Sequence, residues 1–203
     1  MRSTVFTLLV YVFCSTPLFT AQASMATEKA KINGPAEQTL AMINALKQVK
    51  KNDKSTFKDV DNYINFELLT RESIAPHRSK FTDEQAKKFS RTFESLIRLI
   101  AYPQSSSFYD EAKTSYHPPV IKGNKALVTS ETTIEKEDFE MTIGYQWTKT
   151  NSTWQLSDLI LDEDSLVKDY QNQFGRIIEK EGVDGLISKI EQKLLETESE
   201  VKK

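Results

Sequence analysis

The chain has 203 residues, 38% hydrophobic and 28% charged, an ordinary globular composition and enough length for one domain with its own core. Lys plus Arg total 27 and Asp plus Glu 29, a net charge of −2, so no basic excess marks a nucleic-acid binder. The single cysteine, Cys14, excludes an intrachain disulfide and a cysteine-rich zinc site, and two histidines, His77 and His117, are too few for a histidine-based metal centre.

The first residues read as an address. Arg2 is the only charge before Glu28, and Thr4 to Phe13 is an apolar run. It covers about ten residues, against about 20 needed to span a bilayer. Pro17 breaks any helix there, and Ala21-Gln22-Ala23 places small residues at −3 and −1 of a cleavage site; Ser24-Met25-Ala26 offers a second. Tyr11-Val12-Phe13 are too bulky to precede a lipidated Cys14. The expectation is a signal peptide over 1–23 and one domain over 24–203, with a mature chain free of cysteine and suited to an oxidising compartment.

Helices come next. From Pro35 to about Lys51, Leu40, Ile43, Leu46 and Val49 line one face, with Pro35 fitted to the first turn. Phe57 to Ile74 predicts one or two short helices, closed by Pro76. Thr82 with Gln85 forms a capping box, and Asp83 and Glu84 suit the positive helix end. The helix they open carries Phe89, Phe93, Leu96, Ile97 and Ile100 as one stripe, and Pro103 is expected to stop it.

Strand patterning follows. The segment from Ser105 to Ile121 has room for one or two strands, although Pro118-Pro119 interrupts it. Ala126, Val128, Ser130, Thr132 and Ile134 alternate after a Gly123-Asn124 turn. Phe139, Met141, Ile143, Tyr145 and Trp147 share one face of a strictly alternating strand, and a polar turn leads into Thr153 to Leu161. Short connections predict an antiparallel meander. A helix with Leu166, Tyr170, Phe174, Ile177 and Ile178, capped by Ser165 or Asp164, runs to Gly182, and a second carries Val183, Leu186, Ile187, Ile190 and Leu194. This order gives an α+β fold with helices packed on a curved antiparallel sheet, a cone able to hold a ligand between its layers.

No nucleophile elbow, phosphate loop, dinucleotide fingerprint or metalloprotease motif occurs. His77 and His117 stand beside prolines as loop residues, and Asn151-Ser152-Thr153 matches a short sequon. Asp158 shares strand parity with Trp154, Leu156 and Ile160, which aims it at the apolar side. A carboxylate there would have a raised pKa and could serve as a general base, or could be paired with backbone amides or a basic group of the next helix. The apolar stripes suit either a solid core or the wall of a hydrocarbon-filled cavity, and periodicity does not separate the two.

The stretch WQLSDLILDEDSLVKDYQNQFGRIIEKEGVDGLISKIEQKL, Trp154 to Leu194, resembles the MlaC or toluene-tolerance auxiliary family. Members read W-x-V-x-D-V-x-V-x-G-V-S-L-V-x-N-Y-R-x-Q-F-x-x-I-I-x-x-x-G-x-D-G-L-I. Trp154, Asp158, Ser165, Leu166, Val167, Tyr170, Gln173 and Phe174 match, as do Ile177, Ile178, Gly182, Asp184, Gly185, Leu186 and Ile187. Between Val60 and Ile97, Phe66, Thr82, Glu84, Gln85 and Phe89 are similar to a second family segment. The chain departs from the pattern where Glu163 and Asp164 replace Gly-Val, Gln171 replaces Arg, Ile74-Ala75 replace Leu-Gly and Arg78 replaces Trp.

The resemblance implies a cone of the nuclear-transport-factor kind with extra helices, acting as a periplasmic phospholipid shuttle. The implied partners are phospholipid, an inner-membrane ABC transporter complex with an MCE-type ring and an outer-membrane lipoprotein complex; a monomer without cofactor, metal or nucleic acid is expected. Two acyl chains of about 15 methylenes, at about 0.8 kcal/mol per CH₂, give roughly 25 kcal/mol of gross burial, so release needs a partner that opens the cone. The candidate lipid-binding residues are Met141, Ile143, Tyr145 and Ile160 on the sheet, Phe89, Phe93 and Ile97 on one helix, and Leu166, Tyr170 and Phe174 on the closing helix. Two rivals are an enzyme on the same cone with Asp158 as base, which needs a second polar group such as a tyrosine nearby, and a protein–protein adaptor with a filled core.

Overall fold

The computed structural model describes residues 34–50 and 53–201; the predicted signal peptide and Cys14 lie outside the described residues. Helix α1 (Pro35–Lys47) starts on Pro35, which lacks the N–H that a first turn leaves unpaired anyway. Two short helices follow, α2 (Phe57–Asp61) and α3 (Phe66–Ser73), the latter capped by Asn65 Oδ1, which accepts from the Leu68 N–H at 2.9 Å. A 3-10 turn over Ala75–Lys80 leads to α4 (Asp83–Leu96). The predicted capping box is present: Thr82 Oγ1 accepts from the Gln85 N–H at 3.1 Å, and Gln85 Oε1 accepts from the Thr82 N–H at 2.9 Å.

Pro103 does not stop this helix. The chain widens into one π turn over Ile97–Ala101, with the Tyr102 N–H donating to Ile97 C=O, and continues as α5 (Tyr102–Glu111) with Pro103 in its first turn. The wider turn restarts the hydrogen-bond ladder where a proline can be accommodated. Arg98, inside this turn, places Nε 3.0 Å from both carboxylate oxygens of Asp61 and its guanidinium 4.2 Å above the Phe66 ring. Tyr102 donates its hydroxyl to the same Asp61 at 2.7 Å.

The sheet is antiparallel throughout. It contains β1 (Lys113–Tyr116), β2 (Val120–Lys122), β3 (Lys125–Ile134), β4 (Phe139–Thr150), β5 (Thr153–Leu161) and β6 (Asp164–Ser165). The order is β1-β3-β4-β5-β6, with β2 also paired to β3. The meander β3-β4-β5 is the one the sequence predicts, and the segment from Ser105 to Ile121, with room for one or two strands, holds the end of α5 followed by β1 and β2. The β4–β5 hairpin turns through Asn151 and Ser152, both at positive φ, as a tight two-residue hairpin requires. The far edge of β5 is covered by the α2–α3 link: the Asn65 N–H donates to Leu156 C=O, and the Leu156 N–H to Tyr63 C=O.

Helix α6 (Leu166–Val201) breaks at Gly182, whose φ of 74° and ψ of 179° interrupt the helix where two were expected. Its two halves pack Tyr170, Phe174 and Ile178, then Val183, Leu186, Ile187 and Ile190, into one core with α4 and the inner face of the sheet. At the other end α1 is tied to that face by Trp147, whose Nε1–H donates to Thr39 Oγ1 at 3.0 Å. The result is a mixed α+β fold with helices laid against a curved, open antiparallel sheet.

Candidate functional site

Inward-pointing residues on β3 and β4 are set by register. Val128 pairs with Tyr145, Ser130 with Ile143 and Thr132 with Met141, so all six share the face that the helices cover. Ile143 and Tyr145 are buried there, and Met141 packs at its margin.

Strand β5 behaves differently from its pattern. Trp147 pairs with Leu156, but Gln146 pairs with Asp158, which leaves Ser157 as an extra residue. Thr148, on the outer face, donates to Ser157 Oγ at 3.0 Å. Beyond the bulge the parity is reversed: Leu159 and Leu161 face the helices opposite Tyr145 and Ile143, while Asp158 and Ile160 lie on the outer face. This corrects the inward placement of both. Ile160 instead covers Gly144, where an added Cβ would stand 3.1 Å from Ile160 Cβ and 3.2 Å from Leu127 Cδ1.

Asp158 is nonetheless buried, under the start of α6. Its two oxygens accept from Ser165 Oγ–H at 2.6 Å and from the Val167 N–H at 3.0 Å, while Ser165 Oγ accepts from the Lys168 N–H. Burial pushes the Asp158 carboxyl above its ordinary pKa, opposed by Ser165 and by the Val167 and Leu159 amides. It anchors a helix start, with its acceptors occupied.

The helical candidates meet one another. Phe93 lies 4.8 Å from Tyr170 and 5.3 Å from Phe174, ring to ring, and Phe89 lies 5.4 Å from Phe93 and 5.3 Å from Phe174. Most of these contacts are edge-to-face, the favoured geometry for aromatic quadrupoles. Phe89 is fully buried and Phe93 3% exposed. Ile97 is buried beside them, and Leu166 is half-buried against the same core. These side chains fill the space between α4 and α6.

A second feature escaped the sequence reading. Tyr109 of α5 and Tyr145 of β4 share a hydrogen bond of 2.8 Å between hydroxyls. Beside them Ser130 and Thr132, both essentially fully buried, stand 3.4 Å apart, and Thr132 donates to Thr114 Oγ1 at 3.4 Å. The signal was available in part, since Ser130 and Thr132 share parity with Val128 and Ile134; nothing in the sequence brings Tyr109 or Thr114 to them. Burial pushes both the Tyr109 and Tyr145 phenols up, so both remain protonated and able to donate. The row reaches the surface at a cleft of ≈ 200 Å³ between α1, α5 and β1. Among the described residues no group of three or more His, Cys, Asp or Glu is placed to hold a metal.

Helices laid on a curved, open antiparallel sheet around an aromatic interior define an α+β class with known relatives. The chain belongs to the MlaC family: residues 35–192 match the family model described as MlaC protein. It is 24% identical over 138 residues to the intermembrane phospholipid transport system binding protein MlaC of Haemophilus influenzae, a match over 66% of this chain and 64% of that relative. The matched stretch thus spans somewhat less than two thirds of the relative. Its fold is similar to the phospholipid-binding protein from Ralstonia solanacearum, solved in complex with a phospholipid, with a TM-score of 0.61 and 20% identity over 83% of this chain and 96% of that one.

Proposed function

We propose that this protein is a periplasmic phospholipid carrier. It is exported by residues 1–23 and ferries lipid between an outer-membrane lipoprotein complex and an inner-membrane ABC transporter with an MCE-type ring. The family match over 35–192 carries the reading. The interior supports it: Phe89, Phe93, Tyr170 and Phe174 from two helices belong to one buried cluster with Ile143 and Tyr145 of β4, a largely apolar lining suited to acyl chains. Those rings touch one another between α4 and α6, so admitting a lipid among them means parting these two helices. That requirement fits a carrier that loads and unloads against partner complexes and holds its cargo between them. Asp158, fixed as a cap on the outer face, supports a carrier over an enzyme.

Mass spectrometry of organic extracts from the purified mature protein tests the reading. Phospholipid near one molecule per chain is expected; a folded protein that never acquires lipid, even when incubated with phospholipid vesicles, would overturn it. Ile143→Glu or Phe174→Glu should strip copurified lipid, because a carboxylate in the acyl site must be desolvated. N-terminal sequencing of periplasmic protein should begin at Ser24 or Thr27.

A further inference from the structure

A hydrocarbon cargo has no use for hydroxyl groups, yet the inner face of this sheet holds a row of them. Tyr116 pairs across strands with Ser130, which pairs in turn with Ile143; Thr114 pairs with Thr132, which pairs with Met141. The row therefore runs from the β1 edge directly into the apolar wall assigned to acyl chains. Apart from the Tyr109–Tyr145 bond of 2.8 Å, its hydrogen bonds are loose. Ser130 reaches Thr132 and Ile143 C=O at 3.4 Å each, and Thr132 reaches Thr114 at 3.4 Å, well beyond the roughly 2.7–2.8 Å that hydroxyl pairs prefer. Buried hydroxyls held this loosely keep capacity for a better acceptor. The cleft that opens onto the row has Tyr109, Thr114 and Tyr116 on one side and the α1 stripe Leu40, Asn44 and Lys47 on the other. One side chain of that rim, Leu40, is apolar and 48% exposed, while Lys47 carries a positive charge beside it.

We propose that this hydroxyl row receives the ester carbonyl oxygens of a diacyl glycerolipid, with the acyl chains passing toward Ile143 and the head group left at the Lys47 rim. The inference rests on the carrier reading and adds an orientation and a lipid class to it. Ester carbonyls accept and do not donate, and every member of the row has a hydroxyl proton to offer. Tyr109 and Tyr145 spend one hydroxyl proton on the bond between them and leave the other to offer, while at Ser130 and Thr132 a good bond to a carbonyl replaces a poor internal one. An ether-linked lipid of the same chains and head group lacks both acceptors and would leave the row with only its present contacts.

The test is uptake from vesicles made of dioleoyl phosphatidylglycerol or of its diether analogue, with the purified mature protein and lipid content read by mass spectrometry. Wild type is expected to favour the diester by about tenfold or more, the effect of roughly one net hydrogen bond to each carbonyl. In a Tyr145→Phe, Ser130→Ala variant the uptake ratio of the two lipids should fall to within about twofold. Should that pair fold poorly by circular dichroism, Thr132→Val, which removes one loosely bonded hydroxyl, should lose part of the preference, about threefold. Equal uptake of both lipids by wild type would overturn the proposal, as would variants that keep the full preference. Uptake of neither lipid by wild type would instead sink the carrier reading itself, and this inference with it.

Discussion

The two ends of the interior are built on opposite principles. Between α4 and α6, aromatic rings meet at 4.8–5.5 Å, most of them edge to face, and the Tyr170 hydroxyl is the single polar group among the four rings. Between α5 and the β1–β3–β4 sheet, hydroxyls lie almost as deeply but contact one another at up to 3.4 Å. Dispersion and burial hold the first region, and each ring removed there leaves a hole. Apart from the Tyr109–Tyr145 pair, the second has bonds longer than ideal, so each contributes little to stability. Tight apolar packing and loose polar pairing are thus separated within one core.

The largest expected effect breaks the aromatic side. Phe93→Ala should lower unfolding free energy by about 3–5 kcal/mol, since three rings lose their partner. Urea denaturation reads this directly, and a loss below about 1 kcal/mol would mean the rings surround space instead of filling it.

Next comes the joint that fastens α6 to the sheet. Asp158→Ala should cost about 1–3 kcal/mol, because the Ser165 hydroxyl and the Val167 amide both lose their acceptor. Its pH dependence has a definite sign. The folded-state pKa of Asp158 is raised above the unfolded value, so its contribution is fully present below the unfolded pKa and lost as pH rises through the folded one. Between about pH 4 and pH 7, wild type should therefore lose ground to Asp158→Asn. Urea midpoints at both ends give the answer, and a constant difference would contradict the assigned shift.

The turn before this joint sharpens the picture on a smaller scale. Glu163 occupies the place of a family glycine and adopts φ of 77°, a left-handed conformation that glycine reaches freely. Glu163→Gly should stabilise the protein by about 1 kcal/mol, visible as a rise in melting temperature. Smallest of all, Thr132→Val on the hydroxyl side should change stability by less than about 1 kcal/mol in either direction, since the bonds it removes are long. A large loss measured by urea denaturation would erase the contrast between the two regions.

Local signals made much of this architecture legible. The Thr82–Gln85 box, the α4 stripe, the α6 break at Gly182 and the β3–β5 meander each rest on chemistry within a few residues. What stayed hidden depends on neighbours distant in sequence. The run from Thr153 to Leu161 alternates smoothly enough to imply a regular strand, and the extra residue at Ser157 is visible only against β4, so Asp158 and Ile160 were placed on the wrong face. Pro103 carries the ordinary sign of a helix end, but an i+5 bond from Tyr102 and the Arg98–Asp61 pair keep the helix going. The aromatic stripes could be read as faces from the sequence; that they interlock, and that hydroxyls from α5, β1, β3 and β4 converge beside them, required the tertiary fold.

Gly182 leads to a conclusion about handedness. Its φ of 74° with ψ of 179° lies in a region open only to glycine among the natural residues, yet an added Cβ would meet nothing within 4 Å. At residue 182 it is therefore the backbone angle, and not the space for an ordinary side chain, that selects glycine. A mirror-image alanine introduced by chemical ligation would find these angles as comfortable as an ordinary residue finds extended backbone, and would remove the freedom that glycine gives the unfolded chain. Natural mutation, confined to left-handed building blocks, has no such substitute. The joint between the half of α6 that carries Tyr170 and Phe174 and the half that docks on α4 through Asp184 and Gln85 is held at glycine by stereochemistry alone.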